Sequence, residues 1–143
     1  YFTAEDERFF VDHNITVLDN ADVQVTIKGK KLRIGGLSTR YDLDWLEEYA
    51  QKEGTKILLC HHPAHYKYKI KDRKTDIFDL VLSGHYHGGQ WRIGNVGVYV
   101  PRIGLMIPKV KGKFGKHIIS AGVSNTTWFS RLGNPRELVM IKI

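Results

Sequence analysis

Cysteine is nearly absent from the 143 residues: Cys60 stands alone, so no internal disulfide can form and nothing calls for an oxidising compartment. No apolar run approaches the roughly 18 residues that a membrane-spanning helix needs, and no signal peptide is visible. The chain does not begin with Met, so the expectation is that a segment precedes it and would carry any leader or anchor. Location stays open on this reading: a soluble domain, cytoplasmic or attached to a membrane through that upstream segment. Internal repeats, low-complexity tracts and dividing linkers are also missing, which points to one domain over 1–143.

What is present is an ordinary globular balance, 42% hydrophobic and 26% charged residues, with a net charge of +7. Positive charge clusters at Lys67–Lys74 and Lys109–Lys113. It suits an anionic substrate or surface, although solvated loop lysines give the same pattern. Thr3 followed by Asp6 resembles a capping box and opens a helix carrying Phe9, Phe10 and His13. Ile15–Leu18 reads as a short strand. Val23, Val25 and Ile27 alternate with polar residues, turn at Lys28-Gly29-Lys30, and resume at Leu32 and Ile34, which predicts a hairpin. Asp42–Glu53 is a helix with Trp45, Leu46 and Tyr49 on one side and Gly54 as its stop.

The runs Ile57–Cys60 and Leu80–Leu82 are continuously apolar, as strands covered on both faces would be. A glycine-rich, irregular stretch runs from Gly88 through Gly115, and strands are expected at Ile118–Ala121 and Leu138–Ile143. This order predicts a layered α/β domain with a mixed sheet.

Both buried runs end in histidine: Cys60-His61-His62-Pro63 and Ser83-Gly84-His85-Tyr86-His87. Ligand sites in open α/β sheets gather beyond the carboxyl ends of strands, so two such ends supplying imidazole form a metal-site pattern. In an extended segment residues i and i+2 share a side, roughly 6.6 Å apart, which would aim His85 and His87 at one site. Gly84 would supply a sharp corner. His13, His65 and His117 read as surface or satisfied core histidines. Three imidazoles suffice for a mononuclear zinc. A phosphate-handling site more often holds two metals about 3.5–4 Å apart among carboxylates, and no Asp or Glu here has ligand spacing.

"LLCHHP" and "DLVLSGHYHGGQWRI" resemble the H-x-P and G-H-x-H blocks of the calcineurin-like metallophosphoesterases. The trailing "GGQ" and the late "RLGNPRELVMIKI" are most similar to the bacterial phosphodiesterase branch. The family's D-x-H, G-D-x-x-D and G-N-H-[DE] blocks are not in the chain, and "YFTAED" resembles the segment immediately after the last of these. The resemblance therefore implies the C-terminal half of a layered α/β/β/α sandwich, lacking its N-terminal metal-binding half. It implies His61 and His85 as ligands of one metal and His87 of a second, the two divalent ions being manganese, iron or zinc. It implies hydrolysis of phosphomonoesters or phosphodiesters by a metal-activated water, with a general acid upstream of Tyr1 and no catalytic residue within the chain. His62 and Arg131 are the candidates for contact with the phosphate-ester substrate, the alternatives being loop packing for His62 and a structural salt bridge for Arg131. Two other functional classes stand beside this one: a non-catalytic fragment or interaction domain that keeps the fold, and a basic nucleic-acid binder with an incidental metal.

Overall fold

The protein is described by a computed structural model covering residues 3–40, 42–125 and 127–142. Tyr1, Phe2, Tyr41, Thr126 and Ile143, with the parts of the opening and closing motifs that fall on them, lie outside the described residues. Helix α1 (Ala4–Asp12) is capped as expected. The Thr3 hydroxyl accepts from the Asp6 amide at 3.2 Å, and the Asp6 carboxylate accepts from the Thr3 amide at 2.8 Å. The helix buries no residue among those described. Ile15–Leu18 is irregular chain rather than a strand. Leu18 packs where a Cβ on Gly36 would stand, against the neighbouring strand instead of pairing with it.

Strands β1 (Ala21–Ile27) and β2 (Lys30–Leu37) form the hairpin. Its two-residue turn holds Lys28 and Gly29 at φ 50° and 78°, the left-handed pair that matches the twist of hairpin strands. Helix α2 (Leu43–Gln51) starts from Asp42, whose carboxylate accepts from the Asp44 and Trp45 amides. It ends two residues earlier than the sequence suggests. Lys52 is already extended, and Gly54, at φ 102°, turns the chain into the next strand instead of capping the helix.

Strands β3 (Thr55–Cys60) and β4 (Leu80–Ser83) lie parallel to each other, and β2 runs parallel to β3. Between β3 and β4 the basic stretch is helical at its start. Helix α3 (Pro63–His65) runs into a π-helical turn (Tyr66–Ile70) whose Tyr66 and Ile70 are buried while its lysines face solvent. The stretch after Gly88 is more ordered than its glycines suggest. Strands β5 (Trp91–Ile93), β6 (Val96–Val100) and β7 (Gly104–Pro108) make a separate antiparallel sheet. Strand β8 (Gly112–Phe114) then hairpins into β9 (His117–Ile119). The larger sheet has the order β1-β2-β3-β4-β9-β8, with a parallel centre and antiparallel edges, so the protein is mixed α/β. No strand forms at 138–142. Leu138 and Met140 project into solvent there, because no neighbouring strand offers them partners among the described residues.

One face of the sheet is sealed. Leu37, Leu58, Cys60 and Val81 pack against Leu46 and Tyr49 of α2 and against Tyr66, Ile70 and Phe78. Tyr49 is fully buried over Gly35, where an added Cβ would stand 2.6 Å from its ring. Its hydroxyl lies 2.9 Å from both the Arg33 and Ile57 carbonyl oxygens, so it ties α2 to two adjacent strands. The opposite face is covered over Leu32 and Ile57 but opens toward the carboxyl ends of its strands, where the apolar runs predict cover. Leu59 is 36% exposed there. A groove of about 340 Å³ runs past Leu18, Gly36, Leu59, His61 and Leu82.

Candidate metal site

The parallel register sets the site. Leu59 pairs with Leu82, so the residues after Cys60 and Ser83 emerge side by side at the carboxyl ends of β3 and β4. The Ser83 hydroxyl donates to the Cys60 carbonyl at 2.6 Å, and the Gly84 amide donates to the His61 carbonyl at 3.1 Å. The Ser83 proton being committed, His117 donates its Nε2–H to Ser83 Oγ at 2.8 Å. His117 is thus a satisfied core histidine, as expected, and burial pushes its pKa down to about 4. His13 likewise sits at the surface, stacked on Phe9.

His61 and His85 meet. Nδ1 of His85 lies 3.2 Å from Nε2 of His61, with the rings nearly perpendicular at 83°. Two nitrogens bound at about 2.0–2.1 Å to one tetrahedral cation stand roughly 3.3 Å apart, so the pair is spaced as two ligands of one ion would be. His62 lies against the far side of His85, with centroids 3.4 Å apart, and stacks on His65 at 4.9 Å. Its Nδ1 is buried with no hydrogen-bond partner. His65, taken from sequence as an ordinary histidine, therefore belongs to the cluster. Only an i, i+3 relation to His62 across a helix start could have signalled that. His87 lies within electrostatic reach of His61 and His85, and the Arg131 charge also acts on it.

Crowding and burial favour the neutral form of the His62, His65, His85 and His87 rings. His85 is lowered to about 4, first by desolvation and then by repulsion from His62, His61, His87 and His65. Burial also lowers His62, His65 and His87. Neutral imidazole is the form that binds metals, so this donor chemistry suits cations at ordinary pH. The donor set is incomplete, however. Among the described residues no group of three or more His, Cys, Asp or Glu side chains is arranged to hold a metal ion.

The backbone delivering His85 and His87 is not extended. Both residues occupy the left-handed region, at φ 59° and 50°, and the Tyr86 amide donates back to the Gly84 carbonyl. Period-two strand geometry is therefore not what relates the two rings. A tight turn with two strained non-glycine residues does so instead, at a cost of order 1 kcal/mol or more each. Gly84, expected to make the corner, has an ordinary φ, and a Cβ there would meet only the His61 ring at 4.0 Å. Gly88 and Gly89, at φ 70° and 79°, carry the turn.

Asn134, unrecognised from sequence, holds this turn from beneath. It is buried, and its Nδ2 donates to the His87 carbonyl at 2.6 Å and the Gly89 carbonyl at 2.5 Å. Its Oδ1 accepts from Arg92 Nε at 3.2 Å. The Asn-Pro dipeptide in "LGNPREL" was its one sequence signal. Buried Gln90 donates to the Phe129 carbonyl, and Glu137 accepts from the Ala121 amide. Arg131 makes no salt bridge among the described residues. Its guanidinium donates to the carbonyls of Ala121, Gly122 and Ser124, leaving Nε buried without a partner.

Two known proteins are similar to this chain. The chain is 30% identical over 139 residues to YpbG of Bacillus subtilis (strain 168), described as uncharacterized; the match covers 94% of this chain and 50% of YpbG. It is 31% identical over 118 residues to F40B5.2 of Caenorhabditis elegans, described as a candidate metallophosphoesterase; that match covers 74% of this chain and 23% of the relative. The chain thus spans half or less of the length of these curated relatives. No family profile matches it, and no solved structure does. The distant likeness to F40B5.2 points toward the metallophosphoesterases.

Proposed function

We propose that this chain is the histidine-bearing C-terminal half of a calcineurin-like phosphoesterase domain, and that the whole protein hydrolyses phosphomonoesters or phosphodiesters. The observation that carries the reading is the 3.2 Å approach of His61 and His85 at adjacent parallel strand ends. The likeness to F40B5.2 supports it, as does the open apolar face of the sheet, which offers the N-terminal half of the domain a surface to pack on. His61 and His85 would hold one divalent cation and His87 a second, whether manganese, iron or zinc. Such ions bind phosphate oxygens and lower the pKa of a coordinated water. This chain's share is to present imidazoles in fixed positions. Burial and repulsion from neighbouring cationic groups favour the neutral form of His85 and His87, and Asn134 and the glycines fix the turn that carries these two. His62 is the residue assigned to substrate phosphate, although its buried Nδ1 and its packing against His85 and His65 favour the loop-packing alternative. Arg131, committed to carbonyls, acts at most through its charge beside His87.

The competing reading, a non-catalytic domain that keeps the fold, draws on the incomplete donor set among the described residues. One experiment separates the two. The full-length protein should bind divalent metal and turn over a chromogenic phosphodiester with manganese. His85→Ala should cut that turnover at least about 100-fold with unchanged circular dichroism, and residues 1–143 alone should be nearly inactive. Wild-type rates in His85→Ala, or strong turnover by 1–143 alone, would defeat the proposal.

A further inference from the structure

Between Asp79 and Glu137 the sequence contains no acidic residue but eight lysines and arginines. The β5–β6–β7 sheet lies inside this span, and its edge strand β7 carries the run Arg102-Ile103-Gly104-Leu105-Met106-Ile107-Pro108-Lys109. Leu105 is 69% exposed and Met106 65%, because φ 54° at Met106 breaks the strand's alternation and turns consecutive side chains outward. Ile93 is also exposed, on the paired end of the same sheet. Arg102 and Lys109 are exposed at the two ends of the apolar run, both in the left-handed region.

Three kinds of partner could cover such a surface. A second copy pairing edge to edge is disfavoured. Pro108 lacks an amide hydrogen, Gly104 and Met106 leave the extended conformation, and like charges flank the strand. Nucleic acid is disfavoured too, because the exposed side chains of β7 are aliphatic and the half-exposed Trp91 lies on the far edge strand β5, whereas single-strand binders stack bases on aromatic rings. Aliphatic side chains framed by long basic ones match the boundary of an anionic bilayer, where apolar groups enter and cations meet phosphates.

We propose that the β7 edge docks the protein on an anionic lipid surface, with Leu105 and Met106 inserted and Arg102 and Lys109 on the headgroups. This does not depend on the hydrolase reading. Co-sedimentation of the full-length protein with phosphatidylcholine vesicles, and with vesicles containing one quarter phosphatidylglycerol, tests it. Binding is expected only to the anionic vesicles, weakening as salt rises. Arg102→Gln with Lys109→Gln should weaken it about 25-fold, at roughly fivefold per charge. Leu105→Ser with Met106→Ser should weaken it at least about tenfold. Both double variants change exposed residues, so unaltered thermal unfolding is expected and checks that loss of binding is not loss of fold. Four results would overturn the proposal: no vesicle binding, equal binding to both vesicle types, unchanged binding by both variants, or a dimer in sedimentation velocity that the Leu105/Met106 variant dissociates. Tight duplex-DNA binding abolished by the Arg102/Lys109 variant, without vesicle binding, would assign the surface to nucleic acid instead.

Discussion

Replacing Asn134 with Ala removes two donors from beneath the turn that carries the histidines. The carbonyls of His87 and Gly89 then lose partners at 2.6 and 2.5 Å, and Arg92 Nε loses its acceptor at 3.2 Å. A neutral hydrogen bond contributes about 0.5–1.5 kcal/mol net, and a buried group left unsatisfied costs about 1–3 kcal/mol. Asn134 and Gly89 are both buried, so water cannot readily replace the lost amide. The expected destabilisation is about 2–4 kcal/mol, read from urea unfolding as a lower midpoint at constant m. Amide exchange should accelerate most at residues 87–90, since the bond from the Gly89 amide to the Tyr86 carbonyl closes the turn that Asn134 supports. Asn134→Asp keeps the acceptor for Arg92 but loses both donors, so a loss near that of Ala assigns the effect to the two carbonyls. A change below about 0.5 kcal/mol in Asn134→Ala, with exchange at 87–90 unaltered, would refute the argument.

Two further perturbations probe the same region. Gly88→Ala should cost about 2–4 kcal/mol by urea unfolding, because a Cβ at φ 70° would stand 2.4 Å from Asn134 Oδ1 and 2.8 Å from the Ala121 Cβ. Gly29→Ala, at φ 78° with nothing within 4 Å, should cost only about 1 kcal/mol; equal losses would dismiss the packing argument. Acid should also destabilise the fold through His117. Its folded pKa of about 4 lies below the usual 6.5, so its contribution is complete above pH 6.5 and is lost as pH falls toward 4. The loss is on the order of 2 kcal/mol by pH 4.5, and His117→Gln should flatten that part of the stability curve. An identical pH dependence in the variant would exclude His117 as the source.

The elements legible in the sequence were those whose signals are local. The Thr3–Asp6 box, the Lys28-Gly29 turn between alternating runs and the Asp42 cap each act within a few residues, and each forms. What failed depended on partners far along the chain. Leu138–Ile141 has strand-like composition but pairs with no strand among the described residues, although Ile141 lines a groove with residues of β3, β4 and β9. The stretch from Gly88 to Gly115 looked irregular because its glycines permit turns, yet Gly97 serves packing: Val100 and Val110 occupy the space where its side chain would be. Pro63–Ile70 was hidden by its lysines, which point outward from a helical stretch whose buried residues are Pro63, Tyr66 and Ile70.

The histidine turn shows why a right inference about side chains can rest on the wrong backbone. Alternation in "GHYHG" suggested a strand, since an extended chain puts every second residue on one side. Left-handed φ values at His85 and His87 put two imidazoles in one neighbourhood by another route, and a strand could not have done it here. Strand β4 ends at Ser83, whose hydroxyl is tied to Cys60 and His117, so the chain must leave the sheet before the histidines begin. A free turn of this shape would relax, because the left-handed region crowds the Cβ of each non-glycine residue against its carbonyl oxygen. It persists because Asn134 grips the carbonyls on either side of Gly88 and because Gly88 fits where no side chain can. Strain at the histidines and support beneath them are therefore one device. Weakening the support should release His87 first, since its own carbonyl is one of the two that Asn134 holds, while the His61–His85 contact rests on the β3–β4 register and should outlast it.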